Sequence, residues 1–327
     1  MKKINIGKHC VYPVFLAPMS GVSDLPFRNA VKSFGAGACV SEMIATGEAM
    51  MQGKNTLKRI TPANGEDISI VQIVGSDANE MASTAKWCQD NGVDVVDINF
   101  GCPAKKITGK FCGSAIMQYP STALQIMRKV VSAVDIPVTV KMRTGWNEEN
   151  KNAPELAKMA EGEGLQMITV HGRTRQQQYT GSADWDFIKT VKDVIDIPLI
   201  VNGDIKSIDD ATNALKQSTA DGIMVGRGAM GKPWLLNQLI NYFETGDIIE
   251  TPDVKTQYDV VKKHYKEIID FHGDYRGMLM GRKHLSWYLS GFKNATSIRK
   301  QIMDTNDVDT VISLIDAFYQ KQIKDCG

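Results

Sequence analysis

The stretch VDVVDINFGCPAKK, residues 93–106, joins an apolar run to a turn that carries a single thiol. Most of residues 93–100 are apolar, which is typical of a strand buried on both faces of a parallel sheet. Gly101 and Pro103 flank Cys102, and such a pair continues neither a strand nor a helix easily. The pattern predicts a buried strand that ends in a fixed turn, with Cys102 at its tip.

Seven other short apolar runs resemble this one, and each is followed by helical spacing of apolar residues. In chain order the eight runs are residues 14–17, 38–41, 69–74, 94–99, 137–142, 167–171, 198–202 and 222–226. Successive runs start 24 to 43 residues apart, close to the length of one βα unit. Eight such units predict an α/β fold, a closed (β/α)8 TIM barrel, over residues 1–243.

The helix boundaries between the runs have signals of their own. Gly92 and Gly164 are placed to end helices, because glycine readily adopts the left-handed conformation that closes a helix. Three capping-box-like pairs predict helix starts; they are Asp77 with Glu80, Asn152 with Glu155, and Ser207 with Asp210. The widest interval, 43 residues, follows the quoted stretch. The turn at Cys102 should therefore open the longest loop on the carboxyl face of the barrel.

The pattern changes after residue 243. Residues 244–253 read as a linker, and apolar residues in 254–327 follow helical spacing, which predicts a small C-terminal bundle of four helices. Charge is uneven there: residues 255–300 hold ten Lys/Arg and four Asp/Glu, whereas residues 301–327 hold two and five. Such a basic stretch is typical either of a solvated helix face or of a surface that contacts a polyanion.

The composition of the 327 residues is that of a soluble globular protein, with 43% hydrophobic residues and a formal net charge of +1. The N-terminus has lysines but lacks the apolar segment of a secretory signal, and no apolar run approaches the roughly 20 residues of a membrane span. Six scattered cysteines lack the paired spacing of metal ligands. We expect a cytoplasmic protein with reduced thiols, no metal site and no membrane anchor.

Polar side chains stand at or near the carboxyl end of nearly every predicted strand, which is the active-site face of such a barrel. In strand order they include Ser20, Glu42, Gln72, Asn99 and Cys102, Lys141 and Arg143, His171 and Arg173, Asn202 and Asp204, and Arg227. Glycines cluster after the seventh and eighth strands, where barrels commonly bind phosphate through backbone N–H groups. The sequence predicts a phosphorylated cofactor whose reactive end lies near Lys141, His171 and Cys102.

Lys141 has two possible uses inside a barrel. It could form a Schiff base as a lysine of lowered pKa, or it could place a positive charge beside a cofactor that becomes anionic. Flavin mononucleotide (FMN) fits the second use, since it has a phosphate tail and a ring whose reduced form carries charge. The Schiff-base reading explains the lysine and the phosphate site, but it gives Cys102, Gln72 and the helical tail no function.

Six motifs in this order resemble the tRNA-dihydrouridine synthase family. They are APMSGVSDLPFR (17–28), DINFGCPAKK (97–106), VKMRTGW (140–146), HGRTR (171–175), VNGDI (201–205) and VGRGAMGKPW (225–234). The tail GRKHLSWYL (281–289) resembles the bacterial B-type enzymes in particular. Each motif alone is weak, whereas the whole set covers essentially the entire chain.

The resemblance implies FMN as the cofactor and NADPH as a transient reductant. It implies a reaction in which hydride from flavin N5 reaches C6 of a tRNA uridine, while Cys102 gives a proton to C5. The residues that it places around the flavin ring, ribityl chain and phosphate are Pro18, Met19, Ser20, Gln72, Lys141, His171, Asn202, Gly203, Asp204, Gly226 and Arg227.

The resemblance also implies a tRNA partner, bound at the helical domain 254–327 and around the cavity. The residues expected to contact tRNA are Asn99, Lys105, Lys106, Arg173, Arg282 and Lys283, together with Tyr275, Trp287 and Tyr288 in the basic stretch. The B-type tail suggests the D-loop uridine at position 17 as the target. A monomer is the expected state.

Other readings stay open on the sequence. The protein could be an FMN barrel oxidoreductase for a free pyrimidine or another small metabolite, which would need no basic helical tail. It could also be an RNA-binding or chaperone module with a vestigial flavin site. Cys102 could be a buried structural cysteine. Cys112, in the same long loop, stands where B-type relatives usually carry a small apolar residue, and its role is open.

Overall fold

A computed structural model describes residues 1–35, 37–47, 53–65 and 68–326. The chain begins with an antiparallel hairpin of β1 (Ile4–Ile6) and β2 (His9–Val11). Ile4 and Ile6 are buried against the inner residues of the barrel, so the hairpin closes its amino-terminal end. This hairpin was not predicted from the sequence, because three-residue strands are too short for an alternating pattern to stand out.

Eight parallel strands follow the hairpin. They are β3 (Val14–Leu16), β4 (Ile44–Ala45), β5 (Ile70–Val74), β6 (Val95–Phe100), β7 (Val138–Arg143), β8 (Ile168–His171), β9 (Leu199–Asn202) and β10 (Gly222–Val225). Neighbours pair in the order β3-β10-β9-β8-β7-β6-β5-β4. Residues 38–41 join the two ends of this order, since Leu16 N donates to Ala38 O and Ser41 N donates to Ile70 O. The predicted (β/α)8 barrel is thus confirmed.

The second predicted strand is where the structure departs from the expected ring. Residues 38–41 make only isolated bridges, at Cys39 to Leu16 and at Val40 to Ile70, and the short strand β4 follows them. Two bridges are enough to close a barrel, but they do not form a regular strand. The prediction of a regular strand at 38–41 was therefore wrong, although the segment does occupy the second position of the barrel.

Helices surround the barrel in the alternating order that the sequence predicts. They are Leu25–Lys32, Lys54–Ile60, Ala78–Asp90, Lys105–Thr108, Pro120–Ala133, Ala153–Gly162, Trp185–Lys192, Ile208–Ser218 and Leu235–Thr245. The Asp77 carboxylate accepts from the N–H groups of Asn79 and Glu80, and the Ser207 hydroxyl accepts from Asp210 N, as the capping signals predicted. Asn152 is a correction: its amide donates to Met117 O, in the long loop after β6, and makes no side-chain cap to its own helix.

Four further helices follow the irregular connection 246–253. They are Val254–His272, Asp274–Tyr288, Ala295–Asp304 and Val308–Cys326. They bury a core of their own around Tyr265, Leu285, Ile302 and Tyr319. The C-terminal helices that the sequence predicts are therefore present. No helix among the described residues is long and apolar enough to cross a membrane.

The helical bundle packs on the first barrel helix and on the loop that precedes it. Phe27 lies against the imidazoles of His264 and His284, at ring distances of 5.7 and 5.4 Å. His272 Nε2 lies 2.7 Å from a carboxylate oxygen of Asp24, the residue that caps that helix. Lys283 Nζ donates to Gly21 O, directly after the first barrel strand. The bundle therefore touches the same loop that leads to the mouth of the barrel.

Candidate active site

The carboxyl ends of the strands surround a cavity of about 790 Å³. Every residue that the sequence assigned to the cofactor lines this cavity, as do Asn99, Cys102, Lys105 and Lys106. The parallel register explains the convergence, because it brings the ends of all eight strands to one face of the barrel. The cavity lies within the usual size range of cofactor sites in proteins.

Cys102 is held by hydrogen bonds on both sides of its backbone. Asn99 Oδ1 accepts from Gly101 N at 3.0 Å and from Cys102 N at 2.9 Å. Ser114 donates to Cys102 O through its N–H at 3.1 Å and its hydroxyl at 2.8 Å. Burial raises the pKa of the half-buried Cys102 thiol, against smaller lowering effects of the Ala104 N–H and of Arg143. At neutral pH this thiol is protonated and can act as an acid.

A chain of buried hydrogen bonds runs below the cavity. Thr139 Oγ1 donates to Asp97 Oδ1, Gln72 Nε2 donates to Asp97 Oδ2, and Asn99 Nδ2 donates to Gln72 Oε1, each at 2.7 Å. Burial raises the pKa of Asp97 to about 6, although the bonds from Gln72 and Thr139 and the charge of Lys141 oppose the rise. Asp97 is therefore mostly ionised at pH 7 and accepts both bonds.

Lys141 points to the cavity from β7. Among the described residues its ammonium has no hydrogen bond or ion pair. Burial and, to a smaller extent, the neighbouring charge of Arg143 lower its pKa to about 8, against the opposing effects of Asp97 and Cys102. A cation without a partner beside a cavity suits a ligand that brings negative charge.

His171 is present as the neutral imidazole. Asn202 Nδ2 donates to Met224 O at 2.8 Å, so its Oδ1 faces His171 Nδ1 at 2.9 Å and must accept a hydrogen bond from it. The other ring nitrogen, Nε2, is then an acceptor, 3.5 Å from Arg173 Nη1. Burial, with the charges of Lys141 and Arg143, holds the pKa of His171 well below its usual range.

The far end of the cavity combines glycines with arginines. Gly203 and Asp204 both adopt positive φ, at 118° and 56°, which turns the chain sharply after β9. The Asp204 carboxylate accepts two bonds from Arg173, at 3.0 and 2.6 Å, and one from Arg227 at 3.3 Å. With its oxygens taken up in this way, Asp204 orients Arg227 rather than meeting an anionic ligand itself.

Several expected tRNA contacts have other partners. The Arg173 side chain is only 2% exposed and binds Asp204, Thr180 O and Gly181 O, which argues against contact with tRNA. Arg282 bonds Thr305 O and Asn306 within the bundle, and Lys283 bonds Gly21 O. Of the three aromatic residues expected to interleave with the basic stretch, Tyr288 is buried against His264 and Trp287 is partly buried, whereas Tyr275 is 75% exposed.

Sequence reasoning gave no role to three residues that build the site. Arg143 is 2% exposed and donates to Gly101 O at 2.9 Å, so it fixes the turn from the neighbouring strand. Asp97 accepts from Gln72 in the hydrogen-bond network below Cys102. Ser114 donates to the carbonyl of Cys102. Asp97 had a detectable signal, namely a carboxylate within a buried apolar strand. Arg143 had a signal as well, as a polar residue at the end of its strand, but the bonds of Ser114 and Arg143 join distant parts of the sequence and have no local pattern.

The residues present fit FMN. Lys141, an unpaired cation at the cavity floor, suits the polar edge of a flavin ring. Arg227 and the backbone of Gly203 and Gly226 stand at the other end of the cavity, where a phosphate group would be met.

A barrel mouth that combines a phosphate-type site with a buried cation can hold a phosphorylated cofactor. The fold and the cavity thus fit the class of cofactor-dependent barrel enzymes. The chain belongs to the dihydrouridine synthase family, since the family model described as "Dihydrouridine synthase" matches residues 15–324.

Curated relatives agree with this assignment. A probable tRNA-dihydrouridine synthase of Rickettsia bellii (strain RML369-C) is 47% identical over 311 residues, which is 95% of each chain. The tRNA-dihydrouridine synthase B of Pasteurella multocida (strain Pm70) is 39% identical over 312 residues, covering 95% of this chain and 94% of that one. Among solved structures, the old yellow enzyme homologue of Zymomonas mobilis matches with a TM-score of 0.54 at 14% identity, over 78% of this chain and 95% of that chain. That last likeness supports the barrel fold alone.

Proposed function

We propose that this protein reduces the C5–C6 double bond of a uridine in the tRNA D-loop to 5,6-dihydrouridine, with FMN as cofactor and NADPH as reductant. The observation that carries the proposal is the fixed, protonated thiol of Cys102, which shares one cavity with the unpaired ammonium of Lys141. The B-type resemblance favours position 17 as the target. We further propose that the enzyme works as a cytoplasmic monomer.

Cys102 is the general acid of the proposed reaction. When bound, FMN supplies the hydride that adds to C6 of the uracil. The thiol then gives its proton to C5, and the positive charges of Arg143 and Lys141 stabilise the thiolate that remains. The bonds from Asn99 and Ser114 fix the backbone of Cys102, so the thiol keeps one position relative to the bound base.

Four groups orient the cofactor and the base in this proposal. Lys141 holds its charge beside the ring, and Arg227 meets the phosphate. His171 offers Nε2 as a hydrogen-bond acceptor, because its Nδ1 proton is committed to Asn202 and the contact of Nε2 with Arg173 Nη1 is long, at 3.5 Å. The second N–H of Asn99 faces only the weak acceptor Met43 Sδ, at 3.6 Å, so a uracil carbonyl can take that bond.

The tRNA would meet lysines at the rim of the cavity and on the bundle. Lys105 and Lys106 are exposed on the helix that follows Pro103 and also line the cavity. Lys263, Lys266 and Arg276 are exposed on the first two helices of the bundle. The target base must leave its stack to enter the cavity, which unpaired RNA loops permit. The phosphate contacts should make tRNA binding salt-dependent.

Absorption spectroscopy of the purified protein tests the proposal. We expect a flavin band that bleaches when NADPH is added without oxygen and recovers when unmodified tRNA follows. Transcripts with cytidine in place of the D-loop uridines are the matched control and should leave the band bleached. Recovery with free uridine or uracil alone would favour the small-metabolite oxidoreductase. A folded protein that stays colourless when FMN is supplied would contradict the cofactor assignment and return Lys141 to the Schiff-base reading.

A further inference from the structure

Asp97 lies below the cavity, fully enclosed, and the proposed chemistry gives it no task. We propose that Asp97 is a positioning residue that fixes the direction in which the amides of Gln72 and Asn99 point, and thereby holds the turn that carries Cys102. Its effect on turnover rests on the proposed function above. Its effect on the Cys102 thiol does not, and can be measured separately.

The polarity of the network follows from the carboxylate. An ionised carboxylate only accepts hydrogen bonds, so Gln72 must turn its NH2 group toward Asp97. Gln72 Oε1 is thereby turned toward Asn99 and must accept from Asn99 Nδ2. Asn99 Oδ1 then faces the opposite way, toward the N–H groups of Gly101 and Cys102. The acceptor-only carboxylate at one end and the two backbone N–H donors at the other thus fix the same orientation of both amides.

The network is short, buried and held from both sides. Asp97 is 2% exposed, Gln72 1% and Asn99 7%, so water cannot easily replace a missing bond. The hydroxyl of Thr139 donates to the other carboxylate oxygen of Asp97 at 2.7 Å, and Ser41 Oγ accepts from Gln72 N at 3.3 Å. If the side-chain amide of Gln72 were flipped, its oxygen would face the carboxylate of Asp97 and its NH2 group would face the NH2 group of Asn99.

The same polarity decides what Gln72 offers to the cofactor. One Nε2–H is used by Asp97, and Oε1 is used by Asn99. Gln72 also lines the cavity, so the group that remains for a bound ring is the second Nε2–H. Asp97 therefore makes Gln72 a donor toward the flavin edge, which suits the acceptor atoms that gather negative charge on reduction.

Three variants separate positioning from packing. Asp97→Leu keeps the branched shape of the side chain, with methyl groups in place of the two oxygens, and removes the acceptor for Gln72. Asp97→Asn keeps an oxygen for Gln72 while its NH2 group can donate to the hydroxyl of Thr139. Thr139→Val is the matched control, since it removes the other bond to the same carboxylate and leaves the bond to Gln72 in place.

The first measurement is the rate at which iodoacetamide alkylates Cys102 in the FMN-loaded protein, followed by peptide mass spectrometry because Cys10 and Cys112 are also free. We expect Asp97→Leu to free the turn and raise this rate about fivefold or more, with Asp97→Asn and Thr139→Val within about twofold of wild type. Gln72→Leu cuts the same network, and adding it to Asp97→Leu should change the rate no further. If Asp97→Leu does not fold, Gln72→Leu takes its place with the same expectation.

The second measurement is turnover with tRNA. We expect Asp97→Leu to lower kcat about tenfold or more with KM within about threefold, and Asp97→Asn to restore most of kcat. An unchanged alkylation rate in the leucine variant would overturn the inference. So would equal changes in Asp97→Leu and Thr139→Val, which indicate simple loss of packing. A wild-type protein inactive on tRNA would refute the proposed function, and the alkylation series would still decide this inference.

Discussion

In the proposed reaction Cys102 is the proton donor, and Lys141 supplies a positive charge beside the cofactor ring. Replacing Cys102 with alanine removes the proton donor while the turn keeps its hydrogen bonds to Asn99 and Ser114, which use only the main-chain atoms of Cys102. We expect Cys102→Ala to bind FMN normally and to lose about 10²–10⁴-fold in the rate at which tRNA reoxidises the reduced flavin. Stopped-flow absorbance measures that rate. Cys112→Ala is the control and should stay near wild type; normal turnover in Cys102→Ala would remove the general-acid assignment.

The lowered pKa of Lys141 makes its charge sensitive to pH. Its pKa lies at about 8, below its ordinary value, so the ammonium loses its proton as pH rises through that range. We expect FMN affinity, followed by flavin fluorescence, to weaken between about pH 7 and about pH 9.5 as this charge disappears. Lys141→Met should bind more weakly and lose most of this pH dependence. Lys192→Met, which only breaks the ion pair with Asp221, should titrate like wild type.

Much of the residue set could be found from sequence, because polar residues at the ends of parallel strands must converge. The sequence did not reveal which of these residues contact the ligand and which bind one another. Arg173 and Asp204 stand in motifs like the rest, yet they pair mainly with one another. The distinction depends on distances between strands, and a single sequence does not contain those distances.

At the scale of elements, the long loop after β6 is held against Cys102 by a glycine. Gly113 has a φ of 61°, and a Cβ there would lie 2.9 Å from Cys102 O and 3.1 Å from Cys102 Cβ. We expect Gly113→Ala to displace Cys102 and to lower kcat about tenfold or more, with FMN binding kept. Gly92→Ala is the matched control. It has a φ of 82° and open space around it, so it should lower the melting temperature and spare kcat.

The barrel itself was predictable because each buried strand leaves an apolar run of its own. The prediction of a regular strand at residues 38–41 was wrong, because the bridges at Cys39 and Val40 are enough to close the ring. The hairpin β1–β2 was not predicted for the opposite reason. Its strands are regular, but its apolar residues Ile4 and Ile6 are too few to form a recognisable pattern. Sequence patterns therefore predict a helix or strand well when it is long enough to contain several buried apolar residues.

At the scale of the whole molecule, exposed charge on the bundle should set tRNA affinity. The combined change Lys263→Glu, Lys266→Glu and Arg276→Glu reverses exposed charge on the first two helices. We expect KM for tRNA to rise about tenfold, the salt dependence of binding to weaken, and kcat at saturation to stay unchanged. The same exchange at Lys321 and Lys324, in the acidic last helix, should have little effect. Steady-state kinetics at two salt concentrations measure both.

The interface between barrel and bundle should make the fold sensitive to acid. Burial lowers the pKa of His264 to about 4 and that of His284 well below its usual range. Both imidazoles take up protons more readily in the unfolded chain, so stability present above about pH 6.5 is lost as pH falls toward about 4. The raised pKa of Asp97 acts in the opposite direction, because protonation below about pH 6 relieves a buried charge.

Thermal unfolding at about pH 7.5 and about pH 5 measures this sensitivity. We expect the double variant His264→Phe/Tyr288→Phe, which removes an imidazole together with its hydroxyl partner, to lose less melting temperature between the two pH values than wild type. Tyr288→Phe alone keeps both imidazoles and should retain the full loss. Equal losses in all three proteins would show that this interface does not cause the acid sensitivity.

The bond from Lys283 to Gly21 has a consequence for how such enzymes can be recombined. Gly21 follows Pro18, Met19 and Ser20 directly, so a side chain of the bundle holds the loop that lines the cofactor cavity. A barrel grafted onto a foreign RNA-binding domain would lack that ammonium and would receive its cofactor into a looser loop. The two parts are thus poorly interchangeable modules: a chimera would have to inherit the helix Asp274–Tyr288 along with the barrel.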